Sequence, residues 1–156
     1  MAVVDIRTLV SLVPRDRRLI GLDVGSKTIG LALSDLSRMV ATPHDVVRRT
    51  KFSKDAEHIS RVIEENEVGG FVIGLPISMD GTEGRRCQST RDFTNNLLKI
   101  IDLPAAFWDE RLSTAVVERM MVSEMDMTRK RRAQIVDKLA AAYILQGALD
   151  AMPSGI

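Results

Sequence analysis

The sequence predicts an α/β fold: a mixed five-stranded sheet with helices on both faces. Residues 18–50 hold three strand-like segments joined by short turns, which makes them antiparallel neighbours. Two later apolar segments, 71–75 and 105–108, are each reached through a helix and so enter as parallel strands by the right-handed crossover rule. A chain of 156 residues supplies one such domain and leaves no room for a second of full size.

Taken in order, residues 3–13 read as a short docking helix, broken by Pro14 and the basic Arg15, Arg17 and Arg18. RLIGLDV at 18–24 is a strand, Gly25-Ser26 a turn and TIGLALS at 28–34 its hairpin partner. A third strand lies within 39–50, weakened by Pro43. Ser53 is the N-cap of an amphipathic helix over 54–66, which Gly69-Gly70 stops. FVIGL at 71–75 is a buried strand, and 77–86 a polar, glycine-bearing loop. A helix follows over 87–100, then the strand AAFW. Ser113 caps a helix to about 122, and the last helix runs from about Arg131 to Asp150. The order β-β-β-α-β-α-β-α-α is the plan of a ribonuclease H-like fold.

Composition narrows the chemistry. With 45% hydrophobic and 28% charged residues the chain is globular rather than disordered. The 22 Lys+Arg and 21 Asp+Glu give a net charge of +1, so only a local basic patch can hold a polyanion. One cysteine, Cys87, excludes an internal disulfide and a cysteine zinc cage. Two histidines are too few for most histidine metal sites. No apolar run approaches the roughly 18 residues of a membrane span, and the N-terminus does not read as a signal peptide. The expected compartment is the cytoplasm, with no membrane partner.

Four acidic residues stand out by their place. Asp23 sits inside an otherwise apolar strand; the plainer account is a rim aspartate serving the Gly25-Ser26 turn. Asp109 and Glu110 follow AAFW at the carboxyl end of a strand, where ligand sites of open α/β sheets lie. They also suit a helix N-terminus before Ser113. Strand alternation puts the two on opposite faces, so only one serves the site. Asp137 heads a column of Ala140, Ala141, Ile144 and Ala148 on the last helix, or is a surface aspartate paired with Arg132 or Lys138. Carboxylates converging at one sheet edge need cations to stay ionised together. Mg²⁺ suits oxygen ligands, and a pair roughly 3.5–4 Å apart can hold a phosphodiester and activate water.

Gly21, Gly25 and Gly30 fall in or beside the first hairpin, keeping the sheet surface low or easing its twist. Lys27 at the hairpin tip, and Arg85 and Arg86 at the end of the polar loop, reach either phosphate or solvent. Arg131 and Arg132 belong to the densest basic run, 129–132, and at best two of that run can face one phosphate track. Their position at a helix start opposes the helix dipole, which a backbone phosphate would relieve.

GLDVGSKTIGLALSD, VIGLPISMDGTEG, DERLST and IVDKLAAAYILQGALD resemble, in this order, the motif blocks of the YqgF/RuvX family, over about residues 18–151. That family comprises Holliday-junction-resolvase-like nucleases also assigned to processing the 5′ end of pre-16S ribosomal RNA. The resemblance implies a ribonuclease H-like nuclease domain at 17–152 behind an N-terminal extension at 1–16. It implies a divalent-metal phosphodiesterase, with Mg²⁺ or Mn²⁺ at a two-metal site formed by Asp23, Glu110 and Asp137, with Asp109 in reserve. The partner is then a nucleic acid, either pre-rRNA or branched DNA, and the process ribosome biogenesis or recombination. A non-catalytic nucleic-acid-binding module is the alternative from another class, and the intact acids count against it. A phosphate-binding hairpin of the actin/sugar-kinase type would need two related domains.

Overall fold

The computed structural model describes residues 3–111 and 129–152, with the backbone alone over 129–137. The sheet comprises β1 (Arg18–Val24), β2 (Thr28–Ser34), β3 (Ala41–Arg48), β4 (Val68–Leu75) and β5 (Ala105–Asp109) in the order β3-β2-β1-β4-β5. β1, β2 and β3 are antiparallel neighbours, and β4 and β5 join in parallel. The helices are α1 (Ile6–Leu12), α2 (Phe52–Glu65), α3 (Arg85–Ile100) and α4 (Arg129–Ala151).

Strand alternation sorts the side chains into two cores. Ile20, Leu22, Phe71 and Ile73 pack under Ile59 of α2 and Phe93 and Leu97 of α3. Leu19, Val72 and Ala106 face the other way, under Leu9 of α1 and Ala141, Ile144 and Leu145 of α4. The five-stranded mixed sheet with helices on both faces is therefore as the sequence predicts. Every residue of β4 is buried, as befits a central parallel strand covered on both faces.

The small residues of α4 bring it close to the sheet. A Cβ built on Gly21 would lie 2.8 Å from Leu145 Cβ and 3.0 Å from the Ala141 carbonyl oxygen. Gly21→Val is accordingly expected to cost about 1–3 kcal/mol by overpacking, read as a lower midpoint in denaturant. Gln146 clamps the edge strand: its Oε1 accepts from Ala41 N at 2.9 Å and its Nε2 donates to the Met39 carbonyl at 2.9 Å. Pro43 sits on that edge strand, opposite Ala32 beside a register shift, where a missing N–H is tolerated. The N-terminal segment is tied down too. Val4 N donates to the Ala105 carbonyl at 2.8 Å, and Asp5 caps α1 by accepting from Thr8 N at 2.7 Å.

Local details depart from the sequence reading. The N-cap of α2 is Lys51, not Ser53; the buried Asp55 instead accepts from Thr50 N at 3.1 Å. Gly69 and Gly70 do not end the helix. Glu67, at φ 51°, makes the turn, and both glycines lie within β4. They are bare because Arg17 and Val13 pack on them: a Cβ on either would come within 2.7 Å of those side chains. Arg85 and Arg86 belong to the first turn of α3, not to the preceding loop. Cys87, fully buried beside them, donates from Sγ to the Pro76 carbonyl at 3.1 Å and ties that turn to the end of β4. The helix expected after Ser113 lies outside the described residues.

Candidate active site

Two of the predicted acids lie on the α4 face of the sheet. Asp23 is the penultimate residue of β1, opposite Gly30 of β2, and shares the face of Gly21 by alternation. Glu110 follows β5, with its backbone N–H donating to the Leu75 carbonyl at 3.3 Å. Its carboxylate rests over Gly74 together with the Ile144 side chain, leaving no space for a Cβ there. The glycine is thus a seat for the carboxylate. Gly74→Ala is expected to displace Glu110 or lift α4, with cleavage lost while the far-UV CD spectrum is kept.

Asp109 points elsewhere. Arg111 Nη2 lies 2.6 Å from its Oδ2, and Arg111 N donates to its Oδ1 at 3.1 Å. Burial raises the Asp109 carboxyl, but the Arg111 side-chain and backbone bonds outweigh it and hold the pKa below the ordinary value. Glu110 behaves oppositely. Burial first, and the charge of Asp23 next, push its pKa up to about 7 against the opposing pull of Arg86. Two carboxylates near each other in a half-dry setting cannot both ionise cheaply, and one gives way.

The Asp137 backbone lies in α4, seven residues before Ile144 and four before Ala141. Its side chain lies outside the described residues. Among the described residues no three metal-binding side chains gather. Arg131 and Arg132 occupy the first turn of α4, and their side chains are likewise outside the described residues.

Lys27 is exposed in the β1–β2 turn. Arg85, Arg86, Arg111 and Glu110 line one cavity of about 460 Å³, together with Ile77 and Met79. Two contributors take their roles from the tertiary structure. Arg111 reads as a plain charge beside the motif acids, yet it both pairs with Asp109 and lines the cavity. Arg49, just beyond β3, donates from Nη1 to the Gly25 carbonyl at 2.6 Å, and its N–H donates to the Lys27 carbonyl at 2.9 Å. Its guanidinium lies 5.2 Å from the Phe93 ring centroid. Arg49 therefore ties the turn after Asp23 to α3, the helix that carries Arg86. Only the tertiary fold brings 25, 49 and 93 together.

A mixed sheet in the order β3-β2-β1-β4-β5 with helices on both faces is a ribonuclease H-like fold. The chain belongs to the RuvX family, described as Holliday junction resolvase, whose model matches residues 17–151. It is 61% identical over 142 residues to a Paramagnetospirillum magneticum protein, covering 91% of each chain, and that protein is named "Putative pre-16S rRNA nuclease". A Phenylobacterium zucineum protein of the same name is 58% identical over 96% of this chain and 97% of its own. Among solved structures, T. thermophilus RuvC in complex with Holliday junction substrate superposes with a TM-score of 0.51 at 12% identity. That match covers 82% of this chain and 91% of the RuvC chain, a likeness of fold. The protein is a nuclease, a hydrolase of phosphodiester bonds, and family membership implies a divalent cation and a nucleic-acid substrate. Among the described residues no helix is long and apolar enough to cross a membrane.

Proposed function

We propose that this nuclease processes the 5′ end of pre-16S ribosomal RNA, with Asp23, Glu110 and Asp137 as its divalent-cation ligands. The observation that carries the site is the Glu110 carboxylate, seated on Gly74 and within electrostatic reach of Asp23. The donors fit a hard cation: they are carboxylate oxygens, and the described pair repels when no cation is present. Mg²⁺ or Mn²⁺, when bound, supplies Lewis-acid stabilisation of the phosphate and a more acidic water. Asp23 and Glu110 hold it at the sheet edge. Asp137 completes the set from α4, whose stripe of Ala141 and Ile144 already lies against Gly21 and Gly74. Arg86 offsets the charge of Glu110, and Arg49 holds the turn that follows Asp23.

Lys27, Arg85, Arg86, Arg131 and Arg132 hold the polyanion backbone in this reading. Arg131→Ala/Arg132→Ala is expected to reduce the slope of log affinity against log salt by about 1.4–1.8 units, weakening all sequences about equally. An unchanged slope would assign that pair to the solvated surface. The deciding experiment compares cleavage of a pre-rRNA 5′ leader and a four-way DNA junction with Mg²⁺ or Mn²⁺, by wild type and Asp23→Asn. Leader cleavage that Asp23→Asn abolishes is the expected outcome. Cleavage of the junction alone would replace RNA processing by junction resolution.

A further inference from the structure

We propose that the 460 Å³ cavity beside Glu110 holds one unstacked nucleotide adjoining the scissile phosphate, so that the enzyme cuts within an unpaired stretch. This rests on the nuclease reading and adds a substrate requirement to it. The cavity is open to solvent, and its volume falls in the size range of small-ligand sites, roughly 300–1,000 Å³. Its lining joins two chemistries. Ile77 and Met79 offer apolar surface, while Arg85, Arg86 and Arg111 offer guanidinium groups. A bare anion has no use for the first pair, and an apolar ligand none for the three arginines. A nucleotide carries both a flat apolar base face and an anionic phosphate. Glu110 in the same lining places that nucleotide next to the proposed cation ligands.

Met79 is 73% exposed. A lone exposed methionine needs no explanation. This one stands on a tightly bonded turn. Gly81 N donates to the Ser78 carbonyl at 2.8 Å, and Ser78 N to the Thr82 carbonyl at 2.9 Å. Thr82 donates from N and Oγ1 to Asp80 Oδ1 at 3.0 and 2.6 Å. Arg91 then grips Glu83 with two bonds of 2.8 and 2.9 Å. The loop thus presents Met79 in place at the cavity mouth, where its thioether can cover a base face. A base inside a duplex is stacked on both faces and cannot enter such a pocket without the cost of unstacking.

The test uses the full chain and single-stranded RNA spanning the cleavage position, with 2-aminopurine or an abasic residue at each flanking site in turn. Met79 touches no core, so Met79→Ala tests the contact without threatening the fold. At one flanking position, the abasic residue is expected to weaken binding to wild type about 5–30-fold. Met79→Ala should weaken the intact RNA by a similar factor, and the two changes should not add. The 2-aminopurine at that position should change its fluorescence on binding, with or without added cation, and pairing it to a complementary strand should abolish the change. Equal binding of abasic and intact RNA at every flanking position, or full additivity with Met79→Ala, would overturn the proposal. Absence of cleavage with a fluorescence change retained would instead sink the pre-rRNA-processing reading and leave the pocket standing.

Discussion

Glu110→Gln is expected to lower the single-turnover cleavage rate by about 10²–10³-fold or more and, at neutral pH, to make the protein more stable. Losing one preorganised charged group at a reacting phosphate costs rate on that scale. The glutamine keeps the shape that fits over Gly74 and against Ile144, so packing persists. What disappears is a half-dry charge beside Asp23, whose presence opposes folding. Activity and stability then move in opposite directions, which a merely structural residue would not produce. Asp109→Asn is the matched control. It removes a partner of Arg111 away from the Glu110 seat, and its cleavage rate should stay near that of wild type. If Asp109→Asn is the inactive variant and Glu110→Gln the active one, the assignment of the two acids is reversed.

The second large effect is a loss of stability as pH rises through the Glu110 titration in cation-free protein. Its carboxyl has an ordinary value of 4.5 and stands at about 7 in the fold. Between those values the native state holds a proton that the unfolded chain has released. Stability therefore falls as pH rises. Below 4.5 both states are protonated and the penalty is absent; above about 7 both are ionised and it is complete. The shift corresponds to about 3 kcal/mol at 1.36 kcal/mol per unit. Asp35, held low chiefly by the Ser37 hydroxyl, acts in the opposite sense and below its ordinary value of 3.8, so the two windows separate. Denaturant midpoints from pH 4 to 8 should decline for wild type in EDTA and stay flat for Glu110→Gln. Added Mg²⁺ should restore the wild type near pH 7.5 and do little for the variant. A decline of equal size in Glu110→Gln would place its cause at another group.

The order of the strands, the two-faced sheet and the candidate acids were written locally. Alternation in RLIGLDV and TIGLALS, the run FVIGL, and the acids closing AAFW are signals between near neighbours, and backbone geometry turns them directly into faces. Alternation also states that Asp109 and Glu110 part company. Which of them faces Asp23 is not local, because it depends on how β5 is placed beside β4 and where α4 lies. The tertiary structure decides it through Gly74, whose missing side chain leaves a seat that one carboxylate fills. The same holds for Gly69 and Gly70, read from the sequence as a helix stop and found inside a strand. Their bareness answers Val13 and Arg17, more than fifty residues away in the chain by rough count, and no window of sequence holds both. Arg49 and Arg111 escaped notice for that reason as well. A guanidinium's use is set by the carbonyl, ring or carboxylate it reaches, and long flexible side chains carry no periodic signature of that partner. Local pattern thus fixed which chemistry this chain carries and on which strands. Packing between distant segments decided which of its charged groups lie within electrostatic reach of one another.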